Sequence, residues 1–147
     1  MSVPTGLSIP AQRHSAEDLT ATPPAEASAG SVSLLLQART CLHEAETAAR
    51  PVDRFASAHV AALRAATAVL VARSRHRQRG RPASVWTLLT AAAPELREWA
   101  ALFAAHSDRR AAAEAGVPVA EEVADALLDR AREFLDIVGR SLLGVAR

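Results

Sequence analysis

The feature that most constrains the fold is one long alanine-rich stretch at residues 53–73, which reads DRFASAHVAALRAATAVLVAR. On a helical wheel its apolar residues cover one broad face, and only Arg64 and Arg73 add charge after the first turn. This pattern predicts a buried helix around which the rest of the chain packs. His59 lies about 40° from Phe55 on that wheel, near the centre of the apolar face. A titratable ring therefore stands where an aliphatic side chain would be expected.

The composition indicates an all-α fold. Half of the residues are apolar, yet only 3% are aromatic and tyrosine is absent. Alanine and leucine supply most of the apolar fraction and strand-like β-branched runs are missing, which favours helices. We expect a disordered tail at residues 1–30, where prolines stand among small and polar residues without an apolar period. Residues 31–147 are long enough for one core, and we predict an antiparallel bundle of four to five helices there.

Helix starts are marked by side chains that accept from the first free backbone N–H groups, or by proline, which lacks that group. In chain order, the predicted starts are Ser31 or Ser33, Asp53, Ser84, Pro94 and Pro118. The second helix is expected to run to about Arg73. A charged run at residues 106–110 predicts a break near Ser107, and Gly144 is expected to end the last helix.

Several classes of site are absent from the sequence. Cys41 is the only cysteine, which excludes an internal disulfide and leaves no cysteine ligand set for zinc. Glycine-rich phosphate loops, metal-ligand spacings and nucleophile motifs are also missing. We therefore expect neither a metal nor a cofactor. Because we find neither a signal-like start nor an apolar run of the roughly 18 residues that a membrane span needs, we expect a cytoplasmic protein without a membrane partner.

The one dense basic segment is residues 73–82, RSRHRQRGRP. The formal net charge of the chain is only +1, so any basic site must be local. An exposed loop holds arginines at little cost, and solubility alone would explain the segment. Alternatively, guanidinium forks bind phosphates, which makes RNA or a nucleotide the candidate ligand. The residues that would bind it are Arg73, Arg75, His76, Arg77, Arg79 and Arg81.

Arg54 and His59 are the residues with the chemistry to cleave RNA without a metal. Histidine can move protons to or from the 2′-hydroxyl and the leaving oxygen, and arginine can stabilise the charge of the phosphorane. A histidine on an apolar face is, however, more often a hydrogen-bonded core residue. On a regular helix the two residues lie about 140° apart. They would then share a site only across a dimer, or if the first turn is irregular.

The hexapeptide from Arg54 to His59, RFASAH, matches the R-x4-H signature of the HEPN superfamily. The stretches AHVAALR (58–64) and PELREWA (94–100) resemble its small SAV-type bacterial branch, and the resemblance covers roughly residues 34–143. It implies a four- to five-helix bundle, usually dimeric, whose active members are metal-independent endoribonucleases of toxin or defence systems. By this resemblance Arg54 would stabilise the phosphorane and His59 would act as general acid or base. Many HEPN domains are instead inactive binding or dimerisation modules.

Three functions remain open on the sequence. The first is a HEPN module, dimeric and without catalysis, that binds nucleic acid, nucleotide or a partner protein through residues 73–81. The second is a metal-independent endoribonuclease that uses Arg54 and His59. The third is a structural helical adaptor in which His59 is buried and neutral. A homodimer is expected because the second helix is apolar over more than half of its circumference, which one intramolecular groove would not cover.

Overall fold

The computed structural model describes residues 28–73 and 84–144, and all of the regular structure in these two ranges is helical. The prediction of an all-α fold is confirmed. The tail up to residue 27 lies outside the described residues. The elements, in chain order, are α1 (Ala29–Thr47), α2 (Pro51–Arg73), α3 (Val85–Ala92), a 3₁₀ turn (Pro94–Leu96), α4 (Arg97–Ala105), α5 (Ser107–Glu114) and α6 (Glu121–Leu143).

Helix α1 begins earlier than the sequence predicted. Ser28 is its N-cap, and its Oγ accepts from the backbone N–H of Ser31 at 3.1 Å. The backbone N–H of Ser28 donates in return to the Ser31 hydroxyl at 2.7 Å. This reciprocal capping box satisfies two N–H groups that the helix leaves free. The prediction that Ser31 or Ser33 caps the helix is therefore wrong, and Ala29 and Gly30 belong to α1.

Two other predicted starts are wrong and three boundaries are confirmed. Helix α2 begins at Pro51, so Asp53 lies in its first turn, where it meets the positive end of the helix dipole without acting as the cap. Helix α6 begins at Glu121 and not at Pro118. The confirmed boundaries are the Ser84 cap of α3, the break next to Ser107 and the left-handed Gly144 at the end of α6.

The long helices are arranged around α2. Helices α1 and α2 form an antiparallel hairpin. Helix α6 runs antiparallel to α1, since Arg132 contacts Glu46 near the end of α1 at 2.8 Å, whereas Gly139, later in α6, lies next to Arg39, earlier in α1. Helices α2 and α6 consequently run in the same direction. This is consistent with the expected antiparallel order, in which successive long segments alternate in direction, because α3, α4 and α5 carry the chain back along the bundle before α6 begins.

Helix α2 is enclosed by its own chain. Helices α1, α3, α5 and α6 all contact it. The residues of α2 that are buried are Phe55, Ala58, His59, Ala61, Ala62, Ala65, Ala66, Ala68 and Val69. Much of the apolar surface that suggested a dimer through α2 is thus covered within one chain, whereas Val60, Leu63 and Leu70 are only partly buried and Val71 is 41% exposed. Dimerisation stays a prediction.

By length and composition α2 could cross a membrane, contrary to the sequence-based expectation that no such run exists. The mean hydropathy of an 18-residue window reaches 1.6, and half of that window is buried inside the bundle. The core helix of a globular domain meets the same criteria, so this finding is weak support for a membrane span.

The few aromatic side chains are concentrated in one layer between α2 and α6. Phe103 of α4 lies at its centre, with ring centroids 5.4 Å from Trp86 and 5.2 Å from Phe134. Trp99 stacks on the Phe103 ring, and the His59 ring contacts Phe103 edge-on. This layer holds α3 and α4 against the two long helices, since aromatic side chains bury large areas.

The enclosure of α2 predicts a strong effect of side-chain size at its centre. Ala62→Leu should lower the free energy of unfolding by about 1–3 kcal/mol, because the added carbons overpack a site with no exposed surface. Arg64→Leu, on the exposed side of the same helix, should change it by less than about 0.5 kcal/mol. Urea unfolding followed by circular dichroism measures both. Equal, small effects would mean that α2 is not enclosed.

Candidate functional site

Arg54 lies where three helix ends meet. Its Nη2 donates to the carbonyl oxygen of Ala48 at 3.1 Å, just beyond the end of α1. Its Nη1 donates to the Asp125 carboxylate at 2.9 Å and reaches Glu121 at 3.4 Å, both in the first turns of α6. The Arg54 side chain is only 12% exposed, whereas both carboxylates are more than half exposed. Arg54 therefore satisfies a carbonyl that the end of α1 leaves free and connects α1, α2 and α6.

His59 lies inside the bundle, with 2% of the residue exposed. Its Nε2 is 3.0 Å from the carbonyl oxygen of Phe103 in α4. A carbonyl oxygen only accepts hydrogen bonds, so Nε2 carries the proton and donates, and Nδ1 of the neutral ring has the free lone pair. Within the described ranges Nδ1 has no hydrogen-bond partner. The rings of Trp86 and Phe103 enclose His59 edge-on.

The surroundings of His59 favour its neutral form. Burial lowers the pKa of the His59 imidazole below its ordinary value, and the positive charge of Arg110 and the nearby His106 act in the same direction. The hydrogen bond to Phe103 and the negative charge of Glu114 oppose this shift without reversing it. At neutral pH His59 is thus an uncharged core side chain.

The structure does not bring Arg54 and His59 to one site within the chain. Arg54 contacts the ends of α1 and α6, whereas His59 contacts α3 and α4. Their roles in catalysis stay a prediction. In this conformation a substrate phosphate could not reach His59, because the ring is enclosed and its only proton is held by Phe103.

Of the predicted phosphate-binding residues, only Arg73 lies among the described residues. Its guanidinium forms an ion pair with Glu95 at 2.6 Å and points toward the carbonyl of Ala92 at 3.4 Å. The hydrogen bond from Arg73 lowers the pKa of the Glu95 carboxyl. Arg73 thus ties the end of α2 to the 3₁₀ turn. The other predicted positions, Arg75, His76, Arg77, Arg79 and Arg81, lie outside the described residues.

Sequence reasoning missed the groups that surround His59. The charged run at residues 106–110 predicted only a helix break, but the structure places His106 and Arg110 near His59, and the His106 ring lies 5.8 Å from that of Phe55. Arg110 also pairs with Glu114 along α5. The helical spacing within α5 could show this pair, but no local signal could show that α5 packs on α2.

Two surface grooves accompany this arrangement, and neither is lined by Arg54 or His59. One, of about 430 Å³, lies between α3 and α4 over Trp86. The other, of about 460 Å³, lies between α5 and the start of α6, with Arg109 and Val117 in its wall. Within residues 28–73 and 84–144, no group of three or more His, Cys, Asp or Glu side chains is placed to hold a metal ion.

The model of the SAV_6107-like HEPN family matches residues 45–139 of this chain. The chain belongs to this HEPN family. The matched region runs from the end of α1 to Gly139 in α6, so it contains Arg54, His59 and every helix that packs on α2 after the first hairpin. The predicted resemblance to the SAV-type HEPN branch is confirmed. No curated protein and no solved structure matches the chain.

The position of Arg54 predicts a structural role in this HEPN domain. Arg54→Ala should lower the free energy of unfolding by about 1–2 kcal/mol, a value discounted because the carboxylate partners are exposed. Arg54→Lys should recover little, since lysine lacks the planar fork whose two separate nitrogens bond the α1 carbonyl and the α6 carboxylate. Arg130→Ala, which removes an exposed pair within α6, is the control and should cost less than about 0.5 kcal/mol. An Arg54→Ala protein as stable as this control would contradict the structural role.

The environment of His59 predicts that volume matters more than the hydrogen bond. His59→Ala should cost about 2–4 kcal/mol at pH 7.5, because it opens a cavity beside Trp86 and Phe103. His59→Leu fills that volume and removes an unpaired ring nitrogen, and the Phe103 carbonyl still accepts from the backbone N–H of His106 at 3.1 Å. We expect the leucine variant to be about as stable as the wild type. Chemical denaturation tests this, and an equal loss in both variants would show that the hydrogen bond dominates.

Proposed function

We propose that this HEPN domain is a non-catalytic module that binds RNA through the basic segment at residues 73–81. The observation that supports the absence of catalysis is the state of His59, which is 2% exposed and donates its proton to Phe103. A general acid or base must come within hydrogen-bonding distance of the proton that it transfers. Among the described residues, the histidine of the R-x4-H pattern thus lies in the core with its N–H already hydrogen-bonded.

The contacts of Arg54 support the same conclusion. For this arginine to stabilise a phosphorane, a phosphate would have to replace the carboxylates of Asp125 and Glu121, which already neutralise it. The neighbouring Glu122 and Asp53 add further negative charge at these two helix starts. An anionic substrate would be repelled there unless the carboxylates moved away.

The distribution of charge supports the choice of ligand. Five arginines and no acidic residue occupy residues 73–82, whereas the remainder of the chain has 12 arginines against 16 carboxylates. The positive charge of the protein is therefore concentrated in this one segment, and a polyanion would be attracted to it and not to the rest of the surface. The ion pair of Arg73 with Glu95 fixes the point at which the segment leaves α2.

Binding of this kind would be directed at the RNA backbone. Guanidinium groups form paired, charge-assisted hydrogen bonds with phosphate oxygens and displace the counterions that surround them. Residues 73–82 contain no aromatic side chain, so base stacking would not contribute and little sequence preference is expected. Affinity should fall steeply as salt increases.

Replacing Arg75, Arg77 and Arg79 with glutamine tests the proposal. We expect the affinity for a labelled single-stranded RNA to fall at least about tenfold, and the slope of log affinity against log salt to fall by about 2. In the matched control, glutamine replaces Arg39, Arg109 and Arg140, which removes the same amount of positive charge from other parts of the surface. Fluorescence anisotropy between about 50 and 200 mM salt, over which the Debye length falls by about half, measures both. Equal losses in the two proteins would contradict a local site.

The same preparations separate the alternative functions. The wild type should leave RNA uncleaved in the presence of a chelator. Cleavage that produces 2′,3′-cyclic phosphate ends, and that is lost in a folded His59→Leu protein, would instead favour the endoribonuclease. A wild type that neither binds nor cleaves RNA would favour the structural adaptor.

A further inference from the structure

Helix α5 is weakly attached to the bundle. Of its eight residues only Ala113 is buried, at 5% exposure, whereas α2 and α6 each bury nine. Alanine has little surface to bury, so the packing of α5 contributes little free energy. Segments with few buried apolar contacts are those that open locally at low cost.

Both ends of α5 can act as hinges. At its start the helical hydrogen bonds are interrupted at His106, which ends α4 and precedes α5 without a side-chain cap. At its end Gly116 has a φ of 102°, and the backbone N–H of Val117 donates to Ala112 at 2.9 Å in the manner of a Schellman motif. A rotation at these two points would move α5 without unfolding α4 or α6.

Helix α5 contacts α2, and the His106 ring just before α5 lies 5.8 Å from that of Phe55, one turn before His59. Each of these two helices has one buried polar atom that lacks a partner. Within the described residues, neither Nδ1 of His59 nor Nε of Arg110 has a hydrogen-bond partner. Leaving such atoms buried and unpaired is costly. Opening of α5 would expose both atoms to water, and this gain would offset part of the packing that is lost.

Protonation of His59 is unfavourable while α5 packs on α2. The charged and titratable groups of α5, and of His106 just before it, that affect the protonation of the His59 ring are Arg110, His106 and Glu114. The side chains that α3 and α4 place against it, Trp86 and Phe103, are uncharged. The one carboxylate, Glu114, already pairs with Arg110. A charged imidazolium would therefore face a cation across the contact, with no acceptor for its second N–H.

We infer that α5 is a hinged cover over His59, which separates from α2 when His59 takes up a proton. This inference concerns a change of conformation and is independent of RNA binding. In the closed state, with α5 packed on α2, burial lowers the pKa of His59. In the open state, with α5 separated from α2, this pKa returns toward its ordinary value of 6.5. At pH values between these two pKa values, the open state consequently binds more protons than the closed state. Closure is favoured above pH 6.5 and is progressively lost as the pH falls toward the pKa of the closed state.

Hydrogen exchange measured by mass spectrometry tests this switch on the full chain. Between pH 7.5 and 5.5, after correction for intrinsic exchange, we expect residues 107–116 to lose protection by up to about tenfold per pH unit below 6.5, the limit for one proton. Amides of α1 and α6 should stay protected. Loss of protection in all helices together would mean that the proton is taken up by global unfolding, and would overturn the inference.

Two variants identify the titrating group. His59→Leu should abolish the pH dependence, and persistence of the effect in this variant would overturn the assignment to His59. Arg110→Gln removes the cation that faces the ring, so its opening at pH 5.5 should be smaller than that of the wild type. An unchanged or larger response in Arg110→Gln would contradict repulsion as the cause, and this variant serves as the test if the leucine variant does not fold.

Discussion

The close packing around α2 is the constraint on which the rest of the structure depends. Helices α1, α3, α5 and α6 pack along α2, α4 contacts it through the Phe103 carbonyl, and six of the nine buried residues of α2 are alanines. Small side chains let neighbouring helices approach closely, because the distance between helix axes is set by the side chains at the contact. Because α2 supplies little side-chain volume, large side chains from the other helices fill the core. Most of the aromatic ones form a single layer around Phe103.

The two residues that give this HEPN domain its signature both contribute to that packing. Arg54 joins the ends of three helices, and His59 fills the space between α2 and the aromatic layer. Only Ser31 and His59 are buried polar residues among those described, and Ser31 is explained by the cap of α1. The R-x4-H pattern is therefore compatible with a purely structural role, and its presence in a sequence does not by itself imply ribonuclease activity.

Composition predicted the all-α fold. Helical periodicity predicted the central position of the second helix and the burial of His59, since these follow from which face of a helix is apolar. Local signals were less reliable at the helix starts: Ser31, Asp53 and Pro118 each lie within three residues of the true start without being the cap. The partners of Arg54 and His59 could not be predicted. They depend on how α4, α5 and α6 return across α2, and no local pattern encodes contacts between segments so distant in the chain.

Because α2 is one continuous helix, Arg54 and Arg73 lie far apart. Arg54 lies in its first turn and the basic segment leaves from Arg73, its last residue. With a rise of 1.5 Å per residue, these points are about 28 Å apart along a rigid rod. A mononucleotide bound at Arg54 would be unable to contact Arg73 as well. Only an extended oligonucleotide that runs along the length of α2 could contact both of these residues in one chain.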